Sequence, residues 1–225
     1  MSKTRTLNVI PNGKRMKNKK TTVYETLKKR IIEGSLSPGL AINEDEFAKD
    51  LNVSKTPLRE ALRQLERQGL VENVPGRGSI VTHISFHDIR EIFELREIIE
   101  CGAVKRAAMI CDVDAVKAKK KELEEFYRQS NKPKSKVWGS NEDVHQFTIN
   151  CLNNRKLNET YSDLQNQIIR IRNHFGSRYT SKRRLERFKE HSEIYDALIE
   201  GNAERAEKAI QDHLRSFAAQ LLGLF

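Results

Sequence analysis

Residues 53–71 read VSKTPLREALRQLERQGLV. Leu58, Leu62 and Leu65 recur at helical spacing and line one face. Ser54 stands where an N-cap oxygen is wanted, and Pro57 suits a first turn because its missing N–H is not needed there. Gly69 is a C-terminal stop. A helix between Ser54 and Gly69 presents Ser54, Lys55 and Thr56 at its start. Arg59 follows one turn later and Arg63 a further turn on, facing away from the leucines.

The flanking sequence completes a small domain. Upstream, Val23, Leu27 and Ile31 recur every four residues and mark an amphipathic helix that ends at Gly34, followed by a Ser37-Pro38-Gly39 turn. Asn43 then caps a short helix carrying Phe47, Ala48 and Leu51, with Glu46 as its capping-box partner. Asn52-Val53 is the break before Ser54. Downstream, 70–74 and 79–84 are β-rich runs around Pro75-Gly76-Arg77-Gly78, which reads as a hairpin. A short helix, a tight turn, a second helix with a polar N-terminus and a hairpin make a winged helix-turn-helix. Hydroxyls and N–H groups at a helix start bind phosphate, and Lys or Arg reaches the acceptor edge of guanine. Arg77, between two glycines that let the backbone come close to DNA, suits the minor groove. The plainer reading is a surface helix with snorkelling basic side chains, and the wing argues against it.

SKTPLREALRQLERQGLV followed by PGRGSIV resembles the N-terminal domain of GntR-type bacterial transcription regulators, over residues 22–84. The resemblance implies DNA contacts from Ser54, Lys55, Thr56, Arg59 and the wing around Gly76 and Gly78. Arg63 is added from helix spacing, and Arg77 from its place in the wing. Lys55 stands where Arg is more usual, which keeps the charge and loses the two-pronged geometry. Asp45 stands where some members carry a DNA-contacting Arg.

From Ser85 the pattern becomes helical throughout. Helices are expected at 85–109, 112–129, 136–152, 156–176, 181–200 and 202–222, giving an all-helical antiparallel bundle over 85–225 and a mostly α protein. Asn141 and His145 share a helix face, and His191 and His213 each fall near apolar positions of their own helices. Neutral imidazoles aimed inward from several helices, with an oxygen ligand, suit a divalent metal such as zinc or nickel. Taken alone, each is equally a hydrogen-bonded structural histidine. SNEDVHQFTINCLNN, EHSEIYDALIEGNAERAEKAIQDHL and ELREIIECGAVKRAA resemble the FCD-type effector domain of the FadR branch of that family. The resemblance implies a metal held by Asn141, His145, His191 and His213, with Asn141 replacing the commoner Asp and offering a weaker oxygen. It also implies that Arg96 meets a small carboxylate effector. Arg170 and Arg172 are further candidates, but two residues apart they face different ways. A plain Arg96–Glu100 helix pair is the alternative for Arg96.

The 225 residues carry 41 Lys and Arg against 31 Asp and Glu, a net charge of +10. Residues 1–21 hold seven of those basic residues and no acid, and read as a disordered tail that is either a solvated leader or an arm on DNA phosphates. Residues 22–84 carry nine basic and nine acidic residues, so the DNA reader is itself neutral. No stretch is long and apolar enough for a membrane span, and no secretory leader is evident. Three scattered cysteines without CxxC spacing argue against a disulfide framework or a cysteine-zinc site and suit a reducing cytoplasm.

These features add up to a cytoplasmic, homodimeric, metabolite-responsive regulator, of a family whose members are mostly repressors. It would bind a short inverted repeat of double-stranded DNA, one half-site per subunit. Effector binding would shift the helical domains and the spacing of the two recognition helices. Two other classes compete. A metal-dependent hydrolase would want HExxH or a placed base, which are absent, so no enzyme is expected. An architectural DNA-binding protein would leave the histidines purely structural.

Overall fold

The structure, a computed structural model, describes residues 23–130, 144–175 and 181–223. These divide into two compact units, one ending at His83 and the other beginning at Ile84. The basic tail and Asn141 lie outside the described residues.

In the first unit, α1 (23–32) buries Val23, Leu27 and Ile31, the residues its four-residue spacing aligns. α2 (Glu44–Asp50) starts at Asn43, whose side chain accepts from the backbone N–H groups of Asp45 and Glu46. Glu46 does not close the box on the backbone of Asn43. Its carboxylate instead accepts from the Asn43 amide Nδ2 at 3.0 Å. α3 (Lys55–Arg67) buries Leu58, Ala61, Leu62 and Leu65 against the same core as α1 and α2. β1 (Val71–Val74) and β2 (Gly78–Val81) pair antiparallel with Val74 opposite Gly78. The segment before α2 adds a rung that local pattern does not announce. Ala41 bridges Ile80, Ile42 N–H donates to Ser79 O, and Val81 N–H donates to Leu40 O.

The second unit is helical throughout its described residues: α4 (Phe86–Ile110), α5 (Val113–Ser130), α6 (Val144–Cys151), α7 (Arg155–Phe175), α8 (Ser181–Ile199) and α9 (Ala203–Leu222). α4 begins with a full capping box between Ser85 and Asp88. It packs against α6, α7, α8 and α9 and so forms the spine of the bundle. Its buried face is Ile89, Phe93, Arg96, Glu100, Val104 and Ala107, an apolar stripe interrupted by one charged pair. Leu95, apolar and in the same helix, points outward instead.

The cysteines require a correction. Cys111, the C-cap of α4, and Cys151, the last residue of α6, are joined by a disulfide with their Cα atoms 5.7 Å apart. Cys101 is a buried free thiol. An odd count rules out complete pairing but not a single bridge. The two partners, 40 residues apart, meet only because α6 packs on α4.

The Asn43 cap holds the first turn of α2 by two backbone contacts. Asn43→Ala should therefore lower stability by about 1 kcal/mol in urea unfolding, and an unchanged midpoint would show that the cap contributes nothing.

Candidate functional site

Two clusters of functional side chains stand out, one in each unit. In the first, Ser54 occupies the N-cap of α3 in extended conformation, and its hydroxyl makes no cap hydrogen bond. Ser54, Lys55, Thr56, Arg59 and Arg63 are all exposed, on the side of α3 away from its buried leucines. The acidic first turn of α2 lies beside them. Lys55 Nζ is 2.7 Å from Asp45 Oδ1, and Arg59 Nε is 2.7 Å from Glu44 Oε2. These pairs bear on the even charge balance of residues 22–84: two of the basic side chains of α3, Lys55 and Arg59, are matched by acids on α2. At the hairpin tip, Gly76, Arg77 and Gly78 are exposed. Gly76 and Gly78 have φ of 75° and 74°, a region closed to most side chains, and Arg77 N–H donates to Val74 O at 2.9 Å.

In the second unit α6, α8 and α9 bring His145, His191 and His213 together. One ring nitrogen from each lies within 4.8 Å of the others, and all three residues are buried. His191 Nε2 and His213 Nε2 are 3.3 Å apart. Two nitrogens bound to one ion at 2.0–2.1 Å and a tetrahedral angle would be about 3.4 Å apart, so this spacing fits a zinc-sized ion. Two of the rings are oriented by carboxylates. His145 Nδ1 is 2.5 Å from Glu100 Oε2, and His213 Nδ1 is 2.7 Å from Glu190 Oε2. An ionised carboxylate only accepts, so each Nδ1 carries the proton and each Nε2 keeps its lone pair for an ion. Arg96 Nη2 is 3.4 Å from the same His145 nitrogen, a contact that cannot be a hydrogen bond once that nitrogen is protonated.

The electrostatics favour neutral imidazoles at His191 and His213. Burial, followed by the neighbouring His213 and His145 and the charges of Arg187 and Arg172, holds the His191 pKa well below the usual histidine range. Burial likewise depresses His213, to about 3, with the Glu190 carboxylate opposing and His145 and Arg96 reinforcing. The carboxylates stay charged. Burial would raise the Glu100 pKa, but Arg96 and His145 more than offset it and hold the group below the ordinary carboxylate range. Glu190, also opposed by burial, is lowered to about 2 through His213 and Arg183.

Arg96 is fully buried and donates through Nε to Glu100 Oε1 at 2.8 Å. The helix pair is therefore present, and it forms part of the histidine cluster. Tyr161 Oη donates to the same oxygen at 2.8 Å. Arg172 lies over the Phe217 ring, 6.0 Å from its centroid, and its charge bears on His191. Arg170 is buried, and the opposing charge it responds to is Asp88. Sequence reasoning missed Glu100 as a partner of His145, and missed Tyr161, Arg183, Arg187 and Glu190 entirely. Two signals were available: the charged pair Arg96/Glu100 inside the apolar stripe of α4, and Arg183 two turns before Glu190 on α8.

Known families match both halves. Residues 19–81 match the family described as bacterial regulatory proteins, gntR family, and residues 91–216 match the FCD domain. The HTH-type transcriptional regulator YdhC of Bacillus subtilis is 30% identical over 195 residues, which span 84% of this chain and 85% of that protein. The HTH-type transcriptional repressor RspR of Escherichia coli is 26% identical over 87% of this chain and 86% of its own. The crystal structure of a GntR transcriptional regulator from Rhodococcus sp. RHA1 superposes with a TM-score of 0.75 at 25% identity, covering 92% of this chain and 99% of that one.

Removing one partner of a buried ion pair leaves an uncompensated charge. Arg96→Ala should cost about 3–5 kcal/mol in chemical denaturation, against about 1 kcal/mol for Tyr161→Phe, which removes one hydrogen bond. Equal losses would refute this ranking.

Proposed function

The chain belongs to the gntR family of bacterial regulatory proteins, with an FCD domain behind its winged helix, and on that premise we propose that it is a metal-containing, metabolite-responsive repressor. Its DNA contacts come from Ser54, Lys55, Thr56, Arg59 and Arg63 on α3 and from Gly76, Arg77 and Gly78 in the wing. It acts in the cytoplasm as a homodimer on a short inverted repeat, one half-site per subunit, and it is not an enzyme. Among the described residues no helix is long and apolar enough to cross a membrane.

The observation that carries the metal reading is the convergence of His145, His191 and His213, two of them held by carboxylates. A zinc- or nickel-type ion would take these nitrogens and leave positions for oxygen ligands, where a small carboxylate effector would bind. Asn141 is the protein oxygen proposed from the sequence to complete the set. Of the two arginines of α7, Arg172 is the one whose charge, after that of Arg187, acts on His191, and so the one proposed to meet such an effector. Arg96 contributes by fixing Glu100 and hence His145, and Arg170 is a weaker candidate on its Asp88 side. Effector binding regulates through a difference in affinity between DNA-competent and DNA-incompetent states.

On the DNA side, the Lys55–Asp45 and Arg59–Glu44 pairs must exchange partners when the basic groups meet phosphate or guanine. Exposed pairs of this kind contribute little, about 0–1 kcal/mol each, so the exchange is easy.

Two experiments test these roles. Arg59→Ala should weaken operator binding by about 1–3 kcal/mol in a mobility shift if Arg59 reads a base; unchanged binding would remove it from the interface. The double variant His191→Ala/His213→Ala should lose the bound metal in elemental analysis of the purified protein while retaining its helical circular dichroism. A full complement of metal in that variant would sink the site.

A further inference from the structure

The disulfide between α4 and α6 has no part in the functions proposed above, yet its position links it to the histidine cluster. Cys111 is the C-cap of α4 and Cys151 the last residue of α6, and both are only partly buried at the edge of the core. The third cysteine differs. Cys101 is buried, and burial, followed by Glu97, Glu207 and Glu100, pushes its thiol up to about 11, which keeps it protonated and unreactive. Chemistry at sulfur is thereby directed to one pair. In the reducing compartment proposed above, a bridged pair of this kind is the mark of redox sensing rather than of a structural framework.

α6 is the element that such a bridge controls. It has 8 residues, fewer than a helix needs to stand alone in water, so its place is set by what it is tied to. It rests mainly on α4. Two ties join these helices. His145, second in α6, meets Glu100 through Nδ1, and Cys151, at the other end, is bonded to Cys111. Ligand and bridge are therefore only about 9 Å apart along one rigid helix. The bridge closes a segment of 40 residues and removes the states in which the C-terminal end of α6 leaves α4. In such states His145 would no longer be aimed at His191 and His213. We propose that Cys111 and Cys151 form a reversible redox site that sets how firmly the histidine cluster holds its ion. With the bridge closed, α6 is pinned and His145 is in place; with it open, α6 is loose and the ion is held less tightly. The inference rests on the metal reading above.

The bridge forms by exchange with a low-molecular-weight disulfide. One cysteine thiolate attacks a sulfur of that disulfide and expels one thiol, which leaves a mixed disulfide on the protein. The second cysteine gives up its proton, attacks the protein sulfur of the mixed disulfide and expels the other small thiol. Two protein thiols are oxidised by two electrons in all, and one small disulfide is reduced to two thiols. Excess small thiol drives the reverse reaction and opens the bridge.

The test equilibrates the full-length protein in glutathione redox buffers, removes the small thiols, and measures zinc affinity by competition with a chromophoric chelator. Mass spectrometry after alkylation follows the bridge. Opening it should weaken zinc binding about tenfold, the lower end of what loss of an orienting partner costs, and should speed hydrogen exchange of the α6 amides in zinc-free protein. Cys111→Ser/Cys151→Ser can neither bridge nor offer thiolates to zinc, and should bind zinc as the opened wild-type protein does in every buffer. Thiols that never pair in oxidising buffer would overturn the proposal, as would zinc affinity and α6 exchange that are the same with the bridge open and closed. A protein that binds no zinc in either state would overturn it too; faster α6 exchange on opening would then show that the metal reading had failed and not the pairing of the cysteines.

Discussion

Glu100 is the constraint around which the helical unit is organised. Its carboxylate is buried and accepts from Arg96 on its own helix, Tyr161 on α7 and His145 on α6. Taking an ion out of water costs several kcal/mol even after relaxation, so such a group persists only where every lone pair has a donor. Meeting that demand brings α4, α6 and α7 to one point and fixes which nitrogen of His145 is protonated. Glu190 repeats the arrangement on the other side of the cluster, accepting from Arg183 and Ser216 and holding His213. Two Glu–Arg–His groups, drawn from different helices, thus aim two imidazoles toward the place where His191 also lies. Two of the three imidazoles are thus oriented by carboxylates behind them, the arrangement found behind the ligands of metal sites.

What could be read in the sequence follows from what is local. Caps and 3.6-residue periodicity are short-range, so the Asn43 cap and the stripes of α1 and α3 announced their helices. The hairpin was legible because Gly76 and Gly78 punctuate two β-rich runs. The histidines were different. Each sits near apolar positions of its own helix, and only resemblance to a family grouped them, since convergence is a property of three helices together. Glu100 was legible as the i+4 partner of Arg96 and illegible as the partner of His145, which lies 45 residues away. Cys111 and Cys151 failed for the same reason. Leu95 shows the opposite limit: apolar and in a long helix, it is put on the outward face by its angular position.

The DNA-reading unit shows why bulk charge was a poor guide. With nine basic and nine acidic residues over 22–84, it has no net charge to attract DNA from a distance. Its acids are placed, however. Glu44 and Asp45 lie at the N-terminus of α2, where negative charge is favoured by the helix dipole. From there they reach Lys55 and Arg59. The pairs limit the orientations that these two long side chains sample before DNA is met, and they set carboxylate acceptors beside the cations. A carboxylate next to phosphate is unfavourable, whereas one facing the amino group of cytosine is not.

The helix α4 joins the remaining parts of the argument. Arg96 and Glu100 each lie about 160° around the helix from Ile98 on a wheel of 100° per residue. One face of α4 thus carries the carboxylate that orients His145, and the opposite face carries the exposed Ile98 and Met109. Helices are stiff over this length, and packed cores respond to a displacement by moving as units rather than by deforming smoothly. An effector bound at the histidine cluster, as proposed above, would act on α4 through Glu100. The disulfide at the C-cap of α4 adds a second tie to α6, the helix that carries His145. α4 and α6 are therefore linked at the histidine cluster by Glu100 and at their ends by a covalent bond, which leaves little freedom for one to move without the other.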